Sequence, residues 1–167
     1  MAQGICYLRE IYNETELKGN KPAKRIDIVK TELIRDRTVL YAGRKITRPE
    51  DGAEIFRSFL GSLDREAFAV MCLSTKNEPT ALGIISMGSL NASLVHPRET
   101  FKMAILASAN SIILCHLHPS GDPTPSNEDM ETTKRLVECG DLLGIKVIDH
   151  LILGDDSFVS LKERGLI

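Results

Sequence analysis

Residues 112–129 constrain this chain more than any other stretch. They read Ile-Ile-Leu-Cys-His116-Leu117-His118-Pro-Ser-Gly-Asp-Pro-Thr-Pro-Ser126-Asn-Glu-Asp129. An apolar run of strand length, Ser111–Leu114, delivers two histidines at its end. A turn-rich loop follows, and its three prolines reduce the entropy lost when it orders. Ser126-x-x-Asp129 then has the form of a helix capping box. The stretch therefore predicts strand, rigid loop and helix in that order. In a strand, residues i and i+2 share a face. His116 and His118 thus project together while Leu117 turns toward the core.

Two imidazoles and a carboxylate are the ligand types of a catalytic zinc that keeps its fourth position open for water. His116, His118 and Asp129 are the candidate ligands, and Zn2+ is the cofactor they imply. Capping alone also accounts for Ser126 and Asp129, without any chemistry. The two readings are compatible, because a helix start can hold Asp129 near an ion with Ser126 beside it. Together they point to a metal-activated hydrolase.

The rest of the chain alternates helices with strands. Thr47, followed by Pro49, reads as a cap with proline in the first helical turn. Ile55, Phe56, Phe59, Leu60 and Leu63 give that helix an apolar face. Ala67–Ser74 and Ala81–Met87 read as a hairpin about the turn at Thr75 to Pro79. A helix is expected from Pro97 to about Ala109, and another from Ser126, ended by Gly140 or Gly144. Lys146–Leu153 and Phe158–Leu161 read as closing strands. Arg25–Arg35 and Thr38–Tyr41 suggest two strands of an N-terminal extension. The expected fold is α/β: a mixed sheet flanked by helices, with a short N-terminal β extension. Residues 1–49 form the extension, its first 25 residues polar and irregular, and residues 50–167 the main domain.

Composition narrows the class. A chain of 167 residues with 43% hydrophobic and 26% charged residues suits one folded domain and excludes disorder throughout. No apolar run reaches about 18 residues, so no membrane helix is expected. The first ten residues are charged too early for a signal peptide, so a cytoplasmic location is expected. The cysteines, Cys6, Cys72, Cys115 and Cys139, form no Cys-x-x-Cys pair. That excludes a zinc ribbon or thioredoxin motif, and Cys72 and Cys115 read as small core residues. The net charge of -2 makes no general case for nucleic acid, although residues 1–50 carry +4 and the remainder -6. Lys21, Lys24, Arg25, Lys30, Arg44, Lys45 and Arg48 form a candidate patch for phosphate or an acidic partner. A solvated arm explains the same charges, and no aromatic residues are interleaved for base stacking.

The run from His116 to Asp129 resembles the JAMM signature of MPN-type metalloproteases. More closely, it is similar to the RadC branch of bacterial JAB-domain proteins. Further matching blocks are Gly88–Glu99, Leu143–Gly154 and Ser157–Leu166, so the resemblance covers roughly residues 50–167. It implies a JAB/MPN-type, cytidine-deaminase-like fold. A deaminase itself is excluded, because His-x-Glu and Pro-Cys-x-x-Cys are absent. The family usually has Asn between its histidines where this chain has Leu117. Longer RadC proteins carry a helix-hairpin-helix-like segment that residues 1–49 do not resemble.

By the same resemblance, His116, His118 and Asp129 bind zinc, Ser126 donates to the developing oxyanion, and an upstream glutamate is the general base. Glu66 occupies the family's place for that base, and Glu99 is the alternative. Zinc lowers the pKa of bound water to about 7. The function implied is hydrolysis of a peptide or isopeptide bond, with a peptide or protein substrate. Two other readings stand beside it: a DNA-repair-associated protein acting on nucleic acid, and a noncatalytic interaction module with structural zinc. Asp122 orients a histidine or only shapes its turn. His150, on an apolar strand, reads as a core histidine before a fourth ligand, and His96 as a turn residue. Oligomeric state is not legible.

Overall fold

The computed structural model describes residues 26–61, 63–88 and 95–167. The chain divides into a leading unit, Met1–Lys30, and a body, Thr31–Ile167. In the leading unit, residues 26–30 are exposed and carry no regular element. The arm expected over residues 1–25, with Cys6, Lys21, Lys24 and Arg25, lies outside the described residues.

The body contains α1 (Pro49–Leu60), β1 (Ala67–Leu73), β2 (Pro79–Met87), α2 (Pro97–Leu106), β3 (Ser111–Leu117), α3 (Asn127–Leu143), β4 (Lys146–Leu153) and β5 (Phe158–Ser160). The strands form one mixed sheet in the order β2-β1-β3-β4-β5. Only β3 and β4 run parallel; the other neighbours are antiparallel. The parallel pair needs a crossover, and α3 supplies it.

All seven residues of β1, Ala-Phe-Ala-Val-Met-Cys-Leu, are buried. A central strand covered on both faces reads as a continuous apolar run. Alternation along the strand then divides the core in two. Ala67, Ala69, Met71 and Leu73 join Ile113, Cys115, Leu151 and Leu153 beneath Ile55, Phe56 and Leu60 of α1. Phe68, Val70 and Cys72 join Ile112 and Leu114 beneath Phe101 of α2 and Leu136 of α3. Each of the larger side chains among them (Val, Leu, Ile, Phe and Met), fully buried, contributes roughly 1.5–3 kcal/mol relative to exposure.

Two expectations need correction. Residues 26–40 carry no strand, so the N-terminal β extension is absent among the described residues. Ile26, Ile28, Val29, Ile34 and Leu40 are 75–92% exposed. A β-branched run becomes a strand only against an edge that pairs its backbone, and no strand ladder among the described residues includes 26–40. Nor is Thr47 the cap of α1. Arg48 is the N-cap residue, and the acceptor is Asp51, three residues into the helix. Thr47 lies one position too early, and its N–H and hydroxyl both donate to Asp51 Oδ2, at 2.9 and 2.8 Å. At the other end of the chain, Gly144 terminates α3 with φ +70°, a left-handed conformation that suits glycine.

This topology sets the C-terminal ends of β3 and β4 side by side, with His116 opposite Ile152 and Leu117 opposite Leu153. The loop leaving β3 and the start of α3 therefore meet just outside the carboxyl ends of the parallel pair, where open α/β sheets place their sites.

Candidate metal centre

His116 is held in register between Phe68 of β1 and Ile152 of β4. It projects from the same face as Phe68, with ring centroids 6.0 Å apart. His118 lies one residue past β3, where its N–H donates to the Leu153 carbonyl over 2.8 Å. The two imidazoles stand edge to face, with centroids at 4.7 Å. Asp129 enters from the first turn of α3 and is only 4% exposed. The sequence expectation of three converging groups is met in this geometry: one ligand atom from each of His116, His118 and Asp129 lies within 4.8 Å of the others.

The hydrogen bonds around the histidines assign their nitrogens. His118 Nδ1 lies 2.9 Å from the Asp122 carbonyl. A carbonyl only accepts, so Nδ1 carries a proton, and Nε2 is the nitrogen turned toward Asp129 Oδ2, free to ligate whenever the ring is neutral. This is the usual arrangement behind a metal-ligating histidine. His116 Nδ1 donates to Asp129 Oδ1 over 2.5 Å. Its Nε2 is buried without a hydrogen-bond partner, 3.8 Å from Glu66 Oε2. Asp129 Oδ2 lies 3.5 Å from His118 Nε2 and accepts from the Ser126 N–H and hydroxyl, at 2.8 and 2.7 Å. Two imidazoles and a buried carboxylate fit a zinc ion by donor type and spacing.

The electrostatics favour a fixed anion here. Burial works to raise the Asp129 carboxyl, but hydrogen bonds from His116, His118 and Ser126 outweigh it and hold the group well below the usual carboxylate range. The Asp129 carboxylate in turn raises His118 above the ordinary histidine value.

Glu66 immediately precedes β1, with its side chain 31% exposed and its carboxylate on the His116 side of the cluster. Glu99 lies elsewhere, in the first turn of α2, where it pairs with Lys102 at 2.6 Å and Arg98 at 3.5 Å. Ser126 is the N-cap of α3; its hydroxyl accepts from the Asp129 N–H at 3.1 Å while donating to the same residue's carboxylate. Asp122 does both things considered for it. Its side chain accepts from the Thr124 N–H and hydroxyl, at 2.9 and 2.7 Å, and shapes the turn. Its backbone carbonyl orients His118. His96 is the N-cap residue of α2.

The loop after His118 is seated by close backbone contact. A Cβ on Gly154 would lie 2.1 Å from the Gly121 oxygen, so only glycine permits this approach. The Asp155 N–H donates to that oxygen over 3.2 Å. Arg57 of α1 braces the β4–β5 turn from below: its guanidinium donates to the carbonyls of Gly154, Asp155 and Ser157. Beside His118 opens a cleft of about 310 Å³, with Leu60, Leu63, Leu117 and Leu153 in its wall and Arg57 and Asp155 bordering it.

Sequence reasoning missed Thr133 and Arg57. Thr133 is buried on α3, four residues after Asp129. The i, i+4 spacing was a visible signal that it shares a helix face with a candidate ligand. Arg57 carried no local signal, because its acceptors are about a hundred residues away. His150 is not a ligand here; it is fully buried, and its Nδ1 lies 2.6 Å from the Thr133 hydroxyl. Burial pushes its pKa down to about 3, so it is neutral. Cys72 and Cys115 are free, buried thiols, and burial pushes both upward, Cys72 to about 12.

Comparison with known proteins agrees with this architecture. Residues 46–166 match the family described as RadC-like JAB domain. A UPF0758 protein of Geobacillus sp. strain WCH70 is 51% identical over 170 residues, which span 99% of this chain and 75% of that protein. Its counterpart in Desulforamulus reducens is 49% identical over 156 residues, or 92% of this chain and 69% of the relative. One from Clostridium beijerinckii is 52% identical over 123 residues, covering 74% and 54%. The chain belongs to the RadC-like JAB domain family. Among its described residues, no helix is long and apolar enough to cross a membrane.

Proposed function

We propose that this chain is a zinc-dependent hydrolase that cleaves a peptide or isopeptide bond in a peptide or protein substrate. The observation that carries this reading is the convergence of His116, His118 and Asp129, with His118 Nδ1 held by the Asp122 carbonyl so that Nε2 faces the cluster. The three side chains would hold the ion and leave a coordination position open. A zinc ion there would supply a water acidified to about pKa 7 and a Lewis acid for the amide carbonyl.

The remaining work falls to the chain's own groups. Glu66, on the His116 side, takes a proton from the attacking water and returns it to the departing nitrogen. Ser126 turns its hydroxyl from Asp129 toward the oxygen that gains negative charge; loss of such a donor typically costs about a hundred- to thousandfold in turnover. The leucine-walled cleft beside His118 accommodates substrate next to the scissile bond. Glu99 is the lesser candidate for the base, since Lys102 and Arg98 already engage its carboxylate. The buried free thiols of Cys72 and Cys115 suit a reducing, cytoplasmic location.

Amide hydrolysis is favoured over action on nucleic acid because one cluster of metal-ligating type occurs among the described residues, whereas many nucleases use two metals. Of the basic patch, Arg44 is paired with Glu78 and Arg48 with Asp51. The test is Glu66→Gln, loaded with zinc beside the wild type and offered panels of peptides and isopeptides. Full zinc content with cleavage lost supports Glu66 as base. Unimpaired cleavage removes it from that role.

A further inference from the structure

Thr133 and His150 form a buried polar pair between α3 and β4, Thr133 1% and His150 0% exposed. The Thr133 hydroxyl lies 2.6 Å from the backbone carbonyl of Asp129 and 2.6 Å from His150 Nδ1. A hydroxyl has one proton to give. If Thr133 gave it to His150, its oxygen would face the Asp129 carbonyl at 2.6 Å with no proton between them. The other arrangement satisfies both contacts: His150 Nδ1–H donates to Thr133, and Thr133 donates to Asp129. The buried pair thus makes a directed chain from strand β4 through helix α3 to the backbone of a candidate ligand.

The position of this chain matters. His150 is opposite Leu114 in the β3–β4 ladder, two residues before His116, and it packs edge-on to Phe68 with centroids at 5.4 Å. It therefore lies on the same face as His116, deeper in the sheet. Asp129 rides on α3, whereas its two partner histidines belong to β3 and the loop after it. Their separation depends on how the first turn of α3 is fastened to the sheet. The capping box at Ser126 is internal to the loop and helix and does not fix that distance. The Thr133–His150 bond crosses from helix to strand directly behind Asp129.

We propose that His150, acting through Thr133, is a positioning residue that sets Asp129 against His116 and His118 for metal binding. This rests on the zinc reading above. Zinc-binding isotherms on the purified full chain test it, read beside circular dichroism and the melting temperature in chelator. Thr133→Val, which keeps the shape and removes the hydroxyl, is expected to weaken zinc affinity about 10- to 100-fold, as loss of an outer hydrogen-bond partner does. Thr133→Ser is expected to restore it. His150→Asn retains an N–H at the Nδ1 position and is expected to keep more affinity than His150→Phe. A purely structural pair would lower the melting temperature of these variants but leave the zinc affinity of the folded protein unchanged. That result, with a wild type that binds zinc, would overturn the proposal and leave the metal site standing.

Nitrogen-15 NMR of the unsubstituted protein supplies a check that no folding defect can obscure. His150 is expected as the neutral Nδ1–H tautomer, with its ring proton protected from exchange. An Nε2–H tautomer would contradict the directed chain. A wild type that takes up no zinc overturns the reading on which the proposal depends, which separates the two failures.

Discussion

The Nδ1–H of His118 donates to the backbone carbonyl of Asp122 over 2.9 Å, and this single bond decides which ring nitrogen faces Asp129. The donor and acceptor lie four residues apart across the turn after β3. The Asp122 side chain holds that turn by accepting twice from Thr124. Asp122→Ala keeps the carbonyl but releases the turn. Zinc affinity should fall about tenfold, with the fold intact by circular dichroism. Unchanged affinity would show that the loop holds its shape without the Asp122 carboxylate.

Seating of the same loop depends on Gly154. Its substitution by alanine would drive a Cβ to 2.1 Å from the Gly121 oxygen, and neither backbone has room to yield cheaply. Gly154→Ala is expected to cost about 1–3 kcal/mol in urea unfolding, the range for overpacking. It should also lower zinc affinity, because displacement of Gly121 carries the turn that orients His118.

Arg57 supports the β4–β5 turn with a planar fork that reaches three carbonyls. A lysine ammonium is a single point charge and cannot match that geometry. Arg57→Lys should therefore destabilise the fold by about 1–2 kcal/mol, even though charge is conserved. Thermal unfolding of the two proteins decides this, and equal melting temperatures would contradict it.

Much of the fold was legible because burial writes itself into pattern. The seven apolar residues of β1 marked a strand covered on both faces, and Ser126 with Asp129 marked the start of α3. His116 and His118 were legible as a pair because strand geometry fixes i and i+2 on one face. The N-terminal strands were not foreseeable as absent. Ile26 to Leu40 have the composition of strands, but pairing is a tertiary event that composition does not encode. The Thr47 cap failed on a one-residue shift: an aspartate in the first turn reached back and made the hydroxyl a donor. Arg57, Thr133 and the carbonyl of Asp122 were invisible as site supports because their partners are set by the fold.

The α1 cap carries a pH signature. Asp51 accepts hydrogen bonds from the Thr47 N–H first, then from the Thr47 hydroxyl and from Arg48, and these hold its carboxyl below the usual 3.8. Its folded pKa is thus lower than its unfolded value. The stabilisation is fully present above about pH 4 and is lost as pH falls through the folded value. Asp51→Asn removes the anion from the first helical turn and should cost about 0.3–1 kcal/mol near neutrality, and the gap to wild type should narrow in acid. Urea unfolding of both proteins across that range measures it; a gap constant with pH would contradict the assignment.

Metal content by mass spectrometry, on the purified chain and on the double variant His116→Ala/His118→Ala, shows whether His116, His118 and Asp129 hold a zinc ion. About one zinc per wild-type chain is expected, and none in the variant. If neither protein holds zinc, and the wild type takes up none on reconstitution, the cluster of His116, His118 and Asp129 is a capped helix beside two histidines and not a metal site.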